Sequence, residues 1–174
     1  MFERELPVVA VVTDRKCAAL EIAEEHGCEA LLVERTDFSK SFDRHAYSDE
    51  LASALKERQI DLVVMAGFGT VFAQPMFDAF EGRILNTHPA LLPSFPGWHG
   101  VADAMAYGVK VTGCTVHVAT LEVDAGPILT QEAVKVLDDD TEESLHERIK
   151  VVERQLYVDT VAAVVANPDL LASP

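Results

Sequence analysis

The sequence predicts an α/β fold: an open, mostly parallel sheet with flanking helices, ending in a C-terminal β-hairpin and one long helix. Three observations carry that prediction. Short apolar runs alternate with segments of helical spacing through the first half of the chain. Leu62, Val63, Val64 and Met65 form an unbroken apolar run of the kind found in strands covered on both faces. Beyond Gly108 the pattern changes to two β-branched stretches joined by LEVDAG.

Pro7 to Val12 reads as the first strand, closed by Thr13 and Asp14. Ala18, Leu20, Ile22 and Ala23 then have helical spacing as far as Glu25, and His26 and Gly27 end that helix. Ala30 to Val33 makes a second strand, and after RTDFSKSFDRH the residues Tyr47, Leu51, Ala54 and Leu55 mark an amphipathic helix. Asp61 to Ala66 is the third strand, broken by Gly67 and Gly69; a short helix covers Met76 to Phe80, and the next strand begins at Arg83 to Leu85. Strand and helix in alternation imply parallel neighbours joined by crossovers. Val111 to Thr120 and Pro127 to Val136 form the hairpin. Thr141 caps the last helix, with Glu142 and Glu143 set against its dipole, and that helix runs to about Ala166 before a PDLLASP tail. Without repeats or linkers, residues 1–174 are expected to be a single domain.

The 29 acidic residues against 14 basic ones give a net charge of -15, which repels phosphate backbones, so no nucleic acid partner is expected. A local basic pocket for a small phosphorylated or carboxylated ligand is still compatible with that field. No apolar run approaches the roughly 18 residues of a membrane span, and Glu3 and Glu5 interrupt any signal-peptide pattern. A soluble cytoplasmic protein with no membrane partner is the expectation. Cys17, Cys28 and Cys114 are odd in number and far apart, so they read as reduced, partly buried core residues, and no metal is implied.

The stretch ILNTHPALLPSFPGWHG carries the chemistry. In an extended chain Asn86 and His88 share a face, about 7 Å apart at the backbone, at the carboxyl end of a strand where open α/β sheets bind ligands. Pro89, Pro93 and Pro96 stiffen the loop after that strand and Gly97 permits a sharp turn. Asp124, in LEVDAGPI, adds a carboxylate, which beside an imidazole favours the charged, proton-donating form. Together the three suit a reaction in which a carbonyl oxygen becomes an oxyanion. The alternatives are that Asn86 caps a turn, that His88 is a satisfied structural histidine and that Asp124 holds its own turn. Ser94 lacks a G-x-S-x-G setting and no cysteine has a catalytic signature, so direct acyl transfer is favoured over a covalent route.

N-T-H-P-A-L-L-P-S-F-P-G, T-G-C-T-V-H and E-V-D-A-G-P-I-L-T-Q, at these spacings, resemble the glycinamide ribonucleotide transformylase family, the phosphoribosylglycinamide formyltransferases of purine synthesis. The resemblance runs from about Val8 to the last helix. It implies a Rossmann-like formyltransferase fold and transfer of a formyl group from 10-formyltetrahydrofolate to the amine of glycinamide ribonucleotide. It matches Asn86, His88 and Asp124 to the catalytic trio, and Glu153 to a carboxylate near the substrate amine. On the folate side it matches Arg44, Asn86 and the pterin loop of Gly69, Thr70, Val71 and Phe72. His117 is implied as a supporting residue behind the site, and a homodimer as one assembly. The family begins one unit earlier, with a strand, a loop containing G-x-G-S-N and a helix upstream of the segment that Pro7 to Arg15 resembles. The chain is therefore expected to be N-terminally shortened relative to the family, a start placed too late on a longer gene being the favoured reason. Gly69-Thr70 stands where Met-Arg is frequent, and Val158 where Pro often follows the tyrosine. Formyltetrahydrofolate hydrolase, methionyl-tRNA formyltransferase and a non-catalytic folate-binding remnant are the alternatives.

Overall fold

The computed structural model describes residues 1–172, so Ser173 and Pro174, the end of the expected tail, lie outside the described residues. The chain divides into one unit of residues 1–63 and 67–81 and another of residues 64–66 and 82 onward.

In the first unit β1 (Ala10–Thr13) and β2 (Glu29–Leu32) pair in parallel, Ala10 opposite Glu29 and Thr13 opposite Leu32, with α1 (Ala18–Glu25) between them in sequence. β1 starts later than predicted because the Val8 N–H turns back to the Leu6 carbonyl at 2.7 Å, so the ladder begins only at Ala10. α2 (Arg44–Glu57) starts where the Asp43 carboxylate accepts the Ala46 N–H at 2.9 Å, an N-cap that satisfies a donor the helix leaves open. Its buried face carries Tyr47, Ser48, Leu51, Ala52 and Leu55. Tyr47 donates to the Val33 carbonyl at 3.0 Å, and burial pushes its hydroxyl up to about 12. α3 (Gln74–Ala79) begins earlier than predicted because Pro75 fits a first helical turn, where no N–H is needed.

The second unit is built on a sheet in the order β3-β4-β5-β6. β3 is Val63–Val64 alone, and Leu62 to Met65 are half-buried rather than covered on both faces. The apolar run is longer than the strand; beyond it the Met65 N–H still donates to the Leu85 carbonyl at 2.9 Å, and Gly67, at φ 65, then turns the backbone. β4 (Ile84–His88) runs antiparallel to β5 (Val111–Val118), which runs antiparallel to β6 (Ile128–Lys135). The predicted hairpin is present, with a register shift at Val116/His117. At Gly113 a Cβ would lie 2.0 Å from the Glu132 carbonyl oxygen, so the β5–β6 ladder passes too close for any side chain.

α4 (Gly100–Tyr107), which the sequence pattern did not mark, precedes β5. α5 (Glu142–Ala166) opens with a capping box: the Thr141 hydroxyl accepts the Ser144 N–H at 3.1 Å, and the Ser144 hydroxyl accepts the Thr141 N–H at 3.0 Å. Leu145 and Ile149 on its inner face are fully buried with Val101, Cys114 and Val134. Each such aliphatic side chain contributes about 1.5–3 kcal/mol of burial. The tail opens as a 3-10 turn, Pro168–Leu171. All three cysteines are free; Cys114 is core as expected, but Cys17 is exposed, because it stands outside the helix as the N-cap of α1.

Candidate active site

β4 is buried at Ile84 and Leu85 and reaches polar residues only at its carboxyl end. Strand alternation puts Asn86 and His88 on one face and Thr87 on the other. On the first face the register sets Asn86 opposite His117 of β5, and the Asn86 amide nitrogen lies 3.3 Å from His117 Nε2. On the second, Thr87 donates to Glu153 of α5 at 2.7 Å. Glu153 therefore contacts the back of the strand rather than the trio itself.

Asp124 completes the first face. Its Oδ2 lies 3.3 Å from His88 Nδ1 and its Oδ1 lies 3.5 Å from His117 Nε2, so one carboxylate spans two imidazoles. The residue sits at φ 57, a left-handed conformation that Asp tolerates better than most, and the Gly97 N–H donates to its Oδ2 at 2.7 Å. These contacts are to other segments, which decides against an aspartate that merely holds its own turn. Burial pushes the Asp124 carboxyl up, but the His117 hydrogen bond, the Gly97 N–H and the nearby histidine charges outweigh it and hold it below the usual carboxylate range.

His88 is 4 % exposed, and its Nε2 donates to the Phe95 carbonyl at 2.8 Å. Oxygen acceptors thus face both of its ring nitrogens. His117 Nδ1 donates to the Val118 carbonyl at 3.2 Å, and its Nε2 stands between Asp124 Oδ1 at 3.5 Å and the Asn86 amide nitrogen at 3.3 Å. Gly100 opens α4 directly against this group: a Cβ there would lie 2.8 Å from His88 Nε2.

The proline-rich loop behind β4 is pinned to the hairpin. Thr115 donates to the Ala90 carbonyl at 2.7 Å and accepts the Leu92 N–H at 3.0 Å, while Gln131 donates to the Leu92 carbonyl at 2.8 Å and to Thr115 at 2.9 Å. The stiffness expected from the prolines is reinforced by two side chains whose part the sequence did not reveal.

The residues expected on the folate side lie in the first unit. Arg44 is the exposed first residue of α2. Thr70 is buried, donating to Asp14 Oδ2 at 3.1 Å and accepting from Arg35 at 3.3 Å; Phe72 is buried beside the Phe68 ring, and Val71 is exposed. Asp14 also accepts Arg15 Nε at 2.9 Å. Burial raises the Asp14 carboxyl, but the bonds from Arg15 and Thr70 outweigh it and hold it low. Asp14 and Arg15 follow β1 directly, a strand-end position that could have marked them in the sequence. Among the described residues, no three of His, Cys, Asp and Glu are grouped to share a metal ion.

The model of the formyl transferase family matches residues 3–161. The chain belongs to the formyl transferase family. It is 52% identical over 160 residues to a phosphoribosylglycinamide formyltransferase of Mycobacterium tuberculosis, an alignment that covers 92% of this chain and 73% of the relative. The crystal structure of glycinamide ribonucleotide transformylase 1 from Symbiobacterium toebii matches with a TM-score of 0.82 at 41% identity, covering 92% of this chain and 76% of that one. A formyltetrahydrofolate deformylase from Pseudomonas syringae shares the fold at a TM-score of 0.78, with 26% identity over 88% of this chain and 50% of its own. This formyl transferase thus has the α/β class that the sequence predicts.

Proposed function

We propose that this formyl transferase moves the formyl group of 10-formyltetrahydrofolate to the primary amine of glycinamide ribonucleotide, in purine synthesis and in the cytoplasm, with residues 1–174 acting as one catalytic domain. The observation that carries the reading is the Asp124 carboxylate set between His88 and His117, with Asn86 held by the same His117.

In this reading the amine nitrogen attacks the formyl carbon, a C–N bond forms and the carbonyl oxygen becomes an oxyanion. An N–H of Asn86 and the imidazolium of His88 stabilise that oxygen, the His88 donor exchanging the Phe95 carbonyl for the substrate. Collapse of the tetrahedral intermediate breaks the bond to N10 of tetrahydrofolate, which leaves with a proton while the former amine gives one up. Asp124 keeps the positive ring in place throughout. Glu153 is matched to the amine side by the family resemblance, while its observed bond is to Thr87 on the other face of β4. Arg44 and the loop of Gly69, Thr70, Val71 and Phe72 serve the folate side, with Thr70 contributing backbone because its hydroxyl is committed to Asp14.

His88→Ala is the direct test. Formyl transfer followed by absorbance is expected to fall on the order of 10²-fold or more, in a chain whose circular dichroism is unchanged. Full activity in the variant would overturn the assigned chemistry. Release of formate by the wild type without any amine acceptor would favour a hydrolase, the activity named for the structurally similar deformylase.

A further inference from the structure

Asn86 stands between two residues that α5 holds from the other face of β4. Before it, the Leu85 carbonyl accepts the Met65 N–H at 2.9 Å and lies 2.9 Å from the Tyr157 hydroxyl, which stands equally close to the Met65 carbonyl. After it, the Thr87 hydroxyl donates to Glu153 Oε1 at 2.7 Å. Glu153 and Tyr157 are four residues apart, one turn along a single face of α5. Adjacent turns of one helix thus grip both neighbours of one strand residue.

These bonds sit where pairing on one edge of β4 stops. β3 ends at Val64, and the Tyr157 hydroxyl meets the Met65 and Leu85 carbonyls just beyond that point. Tyr157 is 5% exposed, and burial pushes its hydroxyl well above the usual range, which keeps it a donor. On the opposite edge β5 fixes β4 with Asn86 opposite His117. Successive side chains leave a strand on opposite faces, so the twist of β4 about its own axis decides where the Asn86 amide lies. Holding Thr87 toward α5 therefore holds Asn86 toward His117, whose Nε2 is 3.3 Å from the amide nitrogen. A β-branched residue without a hydroxyl suits a strand equally well, so what Thr87 adds is the bond.

We propose that Thr87 and Tyr157 are positioning residues for Asn86: by tying its two neighbours to α5 they set the direction in which its amide meets the developing oxyanion. The inference rests on the formyl-transfer reading above and adds to it the residues that aim one of its donors. Both act through β4. A donor displaced by about 1 Å costs on the order of 10²-fold in rate, so a partial turn of the strand end is expected to cost about tenfold.

The test follows two readouts in the full chain: steady-state formyl transfer, and the side-chain amide resonances of Asn86 in proton–nitrogen correlation spectra. Asn86 and Asn167 are the only asparagines of the sequence, so the Asn86 pair is readily assigned. Thr87→Val, which keeps the shape and drops the hydroxyl, is expected to shift that pair and to lower kcat about tenfold, with KM for both substrates within about twofold of wild type. Tyr157→Phe should do the same, and Thr87→Ser should restore both readouts. Ile149→Val separates positioning from mere structure: it loosens the buried packing of α5 and should leave the amide pair and kcat unchanged. An unmoved amide pair in folded Thr87→Val would overturn the inference, as would a raised KM for the amine substrate at unchanged kcat, or an equal loss of kcat in Ile149→Val. Should the wild type transfer no formyl group, the formyl-transfer reading fails by itself and the amide pair alone decides: a shift in Thr87→Val reversed by Thr87→Ser supports the positioning, and an unmoved pair overturns it.

Discussion

Asp14 in the first unit and Asp124 in the second both have buried side chains, at a strand end and in a tight loop, and they differ in what surrounds them. The Asp14 side chain is 7% exposed and meets Arg15 and Thr70; the Asp124 side chain is 5% exposed and meets His88, His117 and the Gly97 N–H. Burial raises both carboxyls and their partners lower both. An arginine does not release its proton under any ordinary condition, whereas a histidine changes charge near neutrality. The same buried carboxylate therefore faces a permanently charged partner in one setting and two imidazoles in the other.

Asp124→Asn sharpens that contrast most. It keeps the shape, removes the charge that faces two imidazoles, and is expected to lower formyl transfer on the order of 10²-fold in a steady-state assay. Because the native carboxyl lies below its unfolded value, about 3.9, the stability it contributes is complete above that value and is lost as pH falls through the native one. Acid unfolding followed by circular dichroism should accordingly be less steep in Asp124→Asn than in the wild type below about pH 4. Asp14→Asn, matched in burial, should show the same acid effect without the drop in kcat. An equal loss of kcat in both variants would break the comparison.

Gly100→Ala should give a smaller change, about a tenfold loss of kcat, because the new methyl displaces His88 Nε2 from 2.8 Å away. Alanine suits a helix better than glycine by about 1 kcal/mol. Urea unfolding is thus expected to show little or no loss of stability beside the loss of rate, and a large loss of stability with full activity would place the constraint elsewhere. Thr141→Ala, far in kind from either aspartate, should cost about 1 kcal/mol in the same urea experiment through loss of the capping box, with kcat unchanged.

The trio was legible in the sequence because strand periodicity alone puts Asn86 and His88 on one face, and the prolines mark where the strand ends. Asp124 was legible as a residue type in a loop, but its role as a bridge was not, since that depends on Gly97 and His117 arriving from two other segments. Thr115 and Gln131 were invisible because their partners follow from hairpin register, which composition does not specify. Arg15 and Arg35 look like ordinary surface charges until Phe38 and Thr70 bring them together. β3 is shorter than its apolar run, since such a run says nothing about how many residues find a partner strand. α4 was hidden because GVADAMAY is only two turns of small residues whose burial comes from the proline loop before it and α5 beside it.

The hydroxyl of Thr115 gives one hydrogen bond and accepts two, joining the loop at Ala90 and Leu92 to the hairpin at Gln131 through a single oxygen. A mutation on either side strands polar groups on the other, so neither segment is free to drift alone. In a lineage of such chains the proline loop and the hairpin would have to change together, and a chimera that took one from a distant relative without the other would inherit a site with its floor missing.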